Sequence, residues 1–246
     1  WTTVSMGLVT VIISTVLAIT FAAITTRTNT PLRGLLPLIM ALVVATPSLF
    51  YAISWAMLGN ERAGIINVFI QSITGLGEGP INVESWWGIV LVTVLRIVGL
   101  QYFLLLGPFM AMDRSLEESA RVSGAGPIRA FFTIEIPVLW PAITGVAILS
   151  YIIFLESVDI PQVLGVPARI FVLPTELYSY LSAQTGPEYG RASTIGILLM
   201  IATLVLVILQ LRFLGNRAFT TVGGRESRSQ VRNVGMWRWV FAALIV

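Results

Sequence analysis

Long runs of residues without a charged side chain recur along this 246-residue chain, and they constrain its fold more than any other feature. The first extends from Val4 to Thr26 and the second from Gly34 to Asn60, both uncharged. The third, Trp86 to Met112, carries a single charge, Arg96, the fourth covers Pro141 to Leu155 with neighbouring residues, and the fifth runs from Ala192 to Leu211. A helix of roughly 20 apolar residues crosses a hydrocarbon slab of ~30 Å, so each run is long enough to span a bilayer. The chain is 56% hydrophobic and 11% charged, against about 25% charged in soluble domains, so water is not its main solvent. An all-α integral membrane protein with about five spanning helices follows.

Details inside the runs refine that expectation. Ser14, Ala18 and Ala22 place small residues four apart on one face of the first span, which lets a neighbouring helix approach closely. Pro37 and Pro47 lie in the second, and because proline removes a helical hydrogen bond, a kink is expected near Pro47. Ala63 to Gly77 is apolar but too short to cross, and suits an interfacial or re-entrant helix.

With five spans the loops alternate sides, and the arginines are divided unequally. Eleven lie on one side, among them Arg27, Arg33, Arg114, Arg121, Arg129 and those from Arg212 to Arg238; the other side holds Arg62, Arg169 and Arg191. Cytoplasmic loops hold the excess of Arg and Lys, so the richer side is read as cytoplasmic and Trp1 as external. The chain starts at Trp1 rather than Met, with no signal-peptide pattern, and closes in the apolar stretch Trp237 to Val246. It therefore reads as a piece of a longer polypeptide, with one helix ahead of Trp1 and another starting at Trp237. Residues 1–215 form the transmembrane domain on this reading, 216–236 a basic cytoplasmic linker and 237–246 the start of a further transmembrane helix.

Residue types also exclude functions. The chain has no Cys and no His, which removes disulfides, thiolate metal sites and the commonest general base. No cofactor or metal is expected within it. All fifteen cations are arginine, so a phosphate-binding Gly-x-x-x-x-Gly-Lys-Ser/Thr loop cannot occur in this sequence. The cations cluster in loops rather than on a broad basic face, against nucleic-acid binding.

The loop after the third span is not an ordinary connector. From Asp113 to Pro137 it mixes charge with helix-forming residues; Ser115 can cap a helix whose first turn holds Glu117 and Glu118, and Gly124, Gly126 and Pro127 then break it. A helix-turn-helix across the cytoplasmic face is expected. Within it stand Glu118-Ser119-Ala120, three residues, Gly124, nine residues, then Ile134-Glu135-Ile136-Pro137. This string resembles the EAA motif of type I ATP-binding-cassette importer permeases, Glu-Ala-Ala, three residues, Gly, nine residues, Ile-x-Leu-Pro. Ser119 and Ile136 are its departures.

The resemblance implies a coupling helix that docks in a groove of a separate ATPase, with Glu117, Glu118, Ser119, Ala120, Gly124, Ile134 and Pro137 as the coupling residues. Physically, Ala120 and Gly124 admit a close-packed partner and Glu118 offers a carboxylate to a partner cation. Glu156 to Tyr178 and the tail from Phe219 to Trp239 resemble segments of ferric iron permeases with two fused halves. The implied partners are a cytoplasmic ATPase dimer that binds the ATP and Mg, a periplasmic or lipid-anchored solute-binding protein, a second permease half and the lipid of a bacterial inner membrane. The chain itself would be no enzyme. Ferric iron is the implied solute, with phosphonate, polyamine or thiamine as alternatives.

Three charges near the spans remain open. Arg96 lies near mid-membrane, where a charge costs on the order of 3 kcal/mol or more without a partner. It either lines the translocation path or forms an ion pair with Glu156 or Asp159. Those two acids, at the outer end of the fourth span, either meet a cation or are merely solvated. Trp86, Trp87, Trp237 and Trp239 fit interfacial anchors. A secondary transporter driven by an ion gradient is the competing class, but the spans hold no central Asp or Glu for an ion site. A purely structural scaffold leaves the motif spacing unexplained.

Overall fold

A computed structural model describes residues 1–75, 79–112, 126–183, 186–215 and 237–245. Its elements are all helical: α1 (Thr2–Arg27), α2 (Leu36–Ala45) after a 3-10 turn (Arg33–Leu35), α3 (Ser48–Gly59), α4 (Ile65–Thr74), α5 (Trp86–Ala111), α6 (Ile136–Glu156), α7 (Leu173–Leu181), α8 (Tyr189–Gly215) and α9 (Trp237–Ile245). Four helices are long and apolar enough to cross a membrane, and the α2–α3 pair makes a fifth crossing if counted as one broken span. The five expected runs are therefore the five candidate spans. The last two outreach their expected limits, because the α8 helix already starts at Tyr189 and α6 is continuous with the short helix Pro127–Ala130 through a π-helical turn, Phe131–Glu135.

The helices α1 and α5 form the centre of the bundle and run parallel, with α6 antiparallel to both. Thr15 meets Gln101 near the middle, and Thr25 meets the Tyr102 hydroxyl towards the Arg27 end. One apolar cluster gathers Ala18, Ala22, Met40, Tyr102, Phe109 and Ile143 near that end. A second, around Met6, Ala52, Ile89, Phe154 and Leu164, fills the Trp1 end. The small-residue stripe sits where expected: Ser14, Ala18 and Ala22 are fully buried. Gly7 extends the stripe, for a Cβ there would lie 2.7 Å from the Phe154 ring and 2.8 Å from Tyr151. Gly7→Leu should therefore destabilise the bundle by about 1–3 kcal/mol, the usual cost of overpacking, read as earlier thermal unfolding in detergent.

The second run is broken rather than kinked. Its halves, Arg33–Ala45 and Ser48–Gly59, meet at 102°. Thr46 and Pro47 between them have extended ψ values of 125° and 138°, so the helix stops and restarts in a new direction.

The apolar stretch after it forms the short helix α4, as anticipated. Ile65, Phe69 and Ile73, four residues apart, are all exposed on one stripe. The buried Asn67 side chain donates to the carbonyls of Asn60 (2.9 Å) and Ile81 (2.6 Å) and accepts from the Ile81 amide (3.0 Å), tying the helix to the connections on either side. A helix so tethered, with one apolar stripe outward, suits the membrane interface. By contrast only 6% of the spanning window of α8 is buried, so its side chains are left to lipid or to another helical layer.

Candidate functional site

Two groups of residues carry the functional expectations, one at each end of the bundle. At the Arg27 end, residues 113–125 connect the end of α5 to the short helix Pro127–Ala130 that leads into α6. Glu117, Glu118, Ser119, Ala120 and Gly124 lie outside the described residues. Ile134 and Pro137 lie within them: Ile134 is half-buried in the π-helical turn and Pro137 is exposed at the second position of α6, directly after that turn.

The same turn contains a residue that sequence reasoning did not single out. Glu135 is 1% exposed, and its Oε2 lies 3.4 Å from Nε of Arg27, itself 7% exposed at the C-terminus of α1. Arg27 Nη2 also donates to the backbone carbonyl of Phe109 at 3.1 Å. Phe109 belongs to the last turn of α5, where carbonyls run out of intrahelical donors. One guanidinium thus joins the end of α1, the point where the loop leaves α5 and the point where it enters α6. Arg27 reads in sequence as a topology-setting loop cation, and the structure buries it instead. The available signal was the pattern at Glu135, an acid between two isoleucines in an apolar stretch, which needs a buried cation.

Towards the other end stand Arg96, Glu156 and Asp159. The expected ion pair of Arg96 with either acid is not formed; among the described residues the ion pairs are Arg27–Glu135 and the exposed Arg191–Glu188. Arg96 Nη1 instead donates to the Val43 carbonyl at 3.0 Å. The reason lies in the broken span. In a continuous helix the Val43 carbonyl would accept from residue 47, but residue 47 is proline and has no N–H. Arg96 supplies the absent donor, and as a cation it also suits the negative C-terminal end of α2.

Asp159 performs the converse duty. It accepts a hydrogen bond from the Ser48 hydroxyl, at the first residue of α3. A carboxylate is favoured there by the positive end of that helix. The two charges expected to meet each other thus stabilise the two ends of the same break.

Glu156 is different. It is exposed, and with Met200, Thr203, Leu204 and Val207 of α8 it lines an open groove of about 440 Å³. No group of three or more His, Cys, Asp or Glu suited to a metal ion occurs among the described residues. The Glu156 groove, with one carboxylate among largely apolar neighbours, has no metal-binding geometry.

Comparison with known proteins is consistent across the chain. A family model described as "Binding-protein-dependent transport system inner membrane component" matches residues 7–219. The chain is 28% identical over 228 residues to the ferric transport system permease protein FbpB of Actinobacillus pleuropneumoniae, covering 91% of this chain and 32% of that protein. It thus spans about a third of the length of the ferric permeases it matches. To the trehalose/maltose transport system permease protein MalF of Thermococcus litoralis it is 30% identical over 221 residues, covering 85% of this chain and 72% of that one. In fold it is similar to a chain of the bacterial alginate ABC transporter solved with an alginate-bound periplasmic protein, with TM-score 0.68, 19% identity and coverage of 86% and 75%.

Proposed function

Because this chain belongs to the family of binding-protein-dependent transport system inner membrane components, we propose that it is the permease part of an ATP-driven importer in a bacterial cytoplasmic membrane. It lines the solute path together with a second permease half. A separate ATPase dimer binds and hydrolyses the ATP, and a solute-binding protein delivers the cargo to the outer face. The observation that carries this reading is the spaced string from Glu118 to Pro137, placed between two candidate spans, with its final residues at the start of α6. The arginine-rich end is then cytoplasmic, and closure of the ATPase dimer pushes the loop and switches the bundle between outward and inward openings. On this reading residues 1–215 constitute the transmembrane domain and 216–236 a basic linker to the apolar stretch 237–246.

Ferric ion is the proposed solute. The matches to two ferric permeases over 91% of the chain support it. The trehalose/maltose relative makes a disaccharide the competing cargo.

The test is purification of the full-length protein from its native host, followed by reconstitution. An ATPase subunit is expected to remain bound, and uptake of radiolabelled ferric ion is expected to require ATP. Uptake that follows an imposed ion gradient without ATP would overturn the importer reading in favour of a secondary transporter. ATP-dependent uptake of maltose but not of iron would overturn the choice of cargo alone.

A further inference from the structure

A loop that receives a push at its tip can move a bundle only if its two roots are fastened to something that moves with it. Resting on the importer reading above, we propose that Arg27 and Glu135 are coupling residues: the guanidinium of Arg27 fastens both roots of the cytoplasmic loop to α1 and carries its displacement into the spans.

The geometry supplies what this role requires. The loop departs from α5 just after Phe109, whose carbonyl accepts from Arg27 Nη2 at 3.1 Å. It returns through Glu135, whose carboxylate lies 3.4 Å from Arg27 Nε. Arginine presents several donors in a rigid fork, so one side chain grips both points in a fixed relation, which a flexible ammonium cannot do. Both charged side chains are buried, so water neither screens the attraction nor offers replacement partners. The connection continues upward. Thr25, one helical half-turn before Arg27, bonds the Tyr102 hydroxyl at 3.0 Å, and Gln101 beside it bonds Thr15 at 3.1 Å. A shift of α1 is thereby shared with α5 through directional contacts as well as apolar packing. Glu135 also sits in the one-turn π-helix between the loop and α6. Such a turn carries an extra residue relative to an α-helix and is frequent at functional sites.

A coupling pair and a static staple respond differently to one substitution. Replacing a buried ion pair by apolar residues of similar volume is often neutral or stabilising. The double variant Arg27→Met/Glu135→Met loses the bond to the Phe109 carbonyl but also two buried charges, so it is expected to fold, to unfold close to the wild-type temperature and to retain the ATPase. In proteoliposomes holding the whole transporter, the ferric ion taken up per ATP hydrolysed should nevertheless fall at least about fivefold, the lower bound of usual site-to-site coupling. A double variant with wild-type stability and the wild-type ratio would show a mere staple and overturn the proposal. Should the double variant not fold, Arg27→Lys decides: it keeps the charge beside Glu135 but lacks the fork, and an unchanged ratio there overturns the proposal as well. A wild-type transporter without an attached ATPase would instead overturn the importer reading itself, before any variant is compared.

Discussion

Replacing Gly124 with tryptophan should detach the ATPase and stop ATP-driven uptake while leaving the spans folded. Gly124 stands four residues beyond Ala120 and ten before Ile134, the spacing of the EAA motif, and on the proposed function it is the glycine offered to the ATPase. A glycine in a docked helix admits another protein's surface to backbone contact distance, and any side chain at that point must displace the partner. Overpacking a close contact costs about 1–3 kcal/mol, and each 1.4 kcal/mol is tenfold in affinity. Attachment should therefore weaken by about ten- to a hundredfold, with uptake falling in parallel. The core near this end is built from α1, α2, α5 and α6, so thermal unfolding of the permease alone should not change. Ser119→Ala, which restores the residue of the family pattern, should leave attachment intact and serves as the control. Retention of both attachment and uptake by the tryptophan variant would remove the loop from the mechanism.

The spans were legible because an uncharged run of twenty or more residues has few alternatives to a membrane helix, and their number follows from the runs themselves. Even the stripe of Ser14, Ala18 and Ala22 faces inward as its spacing predicts. What pattern alone does not yield is the response of the chain to its own charges. Pro47 predicts a disturbance, yet the size of the bend, 102°, depends on partners from far along the sequence: Arg96 for α2 and Asp159 for α3. Without those charges the Val43 carbonyl at the end of α2 would lose its donor and the Ser48 hydroxyl at the start of α3 its acceptor. The pairing of Arg27 with Glu135 was hidden for a related reason. An arginine at a span end is normally solvated, and only the fold places an acid against it. The helix Leu173–Leu181 escaped notice in a loop of mixed composition, where Thr175 Oγ1, accepting from the Val172 amide at 3.0 Å, fixes its start.

The second large effect concerns Arg96, and here stability and transport separate two roles. Arg96→Met removes the donor held by the carbonyl of half-buried Val43 and leaves that group without a partner, because Pro47 has no N–H to offer. A hydrogen bond from a charged group contributes about 1.5–3 kcal/mol. For a chain of this size each kcal/mol shifts the midpoint by roughly 2–4 °C. Thermal unfolding should therefore begin several degrees earlier. Adding Pro47→Ala gives the Val43 carbonyl a donor within its own helix, so Arg96→Met/Pro47→Ala should regain much of that stability by drawing α2 and α3 towards a continuous helix. If Arg96 serves only the break, the single variant loses stability yet transports normally once folded, and the path role falls. If the charge instead guides the solute, uptake is lost in the single variant and stays lost in the double one although stability returns. The broken span itself is tested by Pro47→Ala alone: if the break is needed for switching, a straighter helix leaves Arg96 without its acceptor and uptake drops even though no charge has been removed.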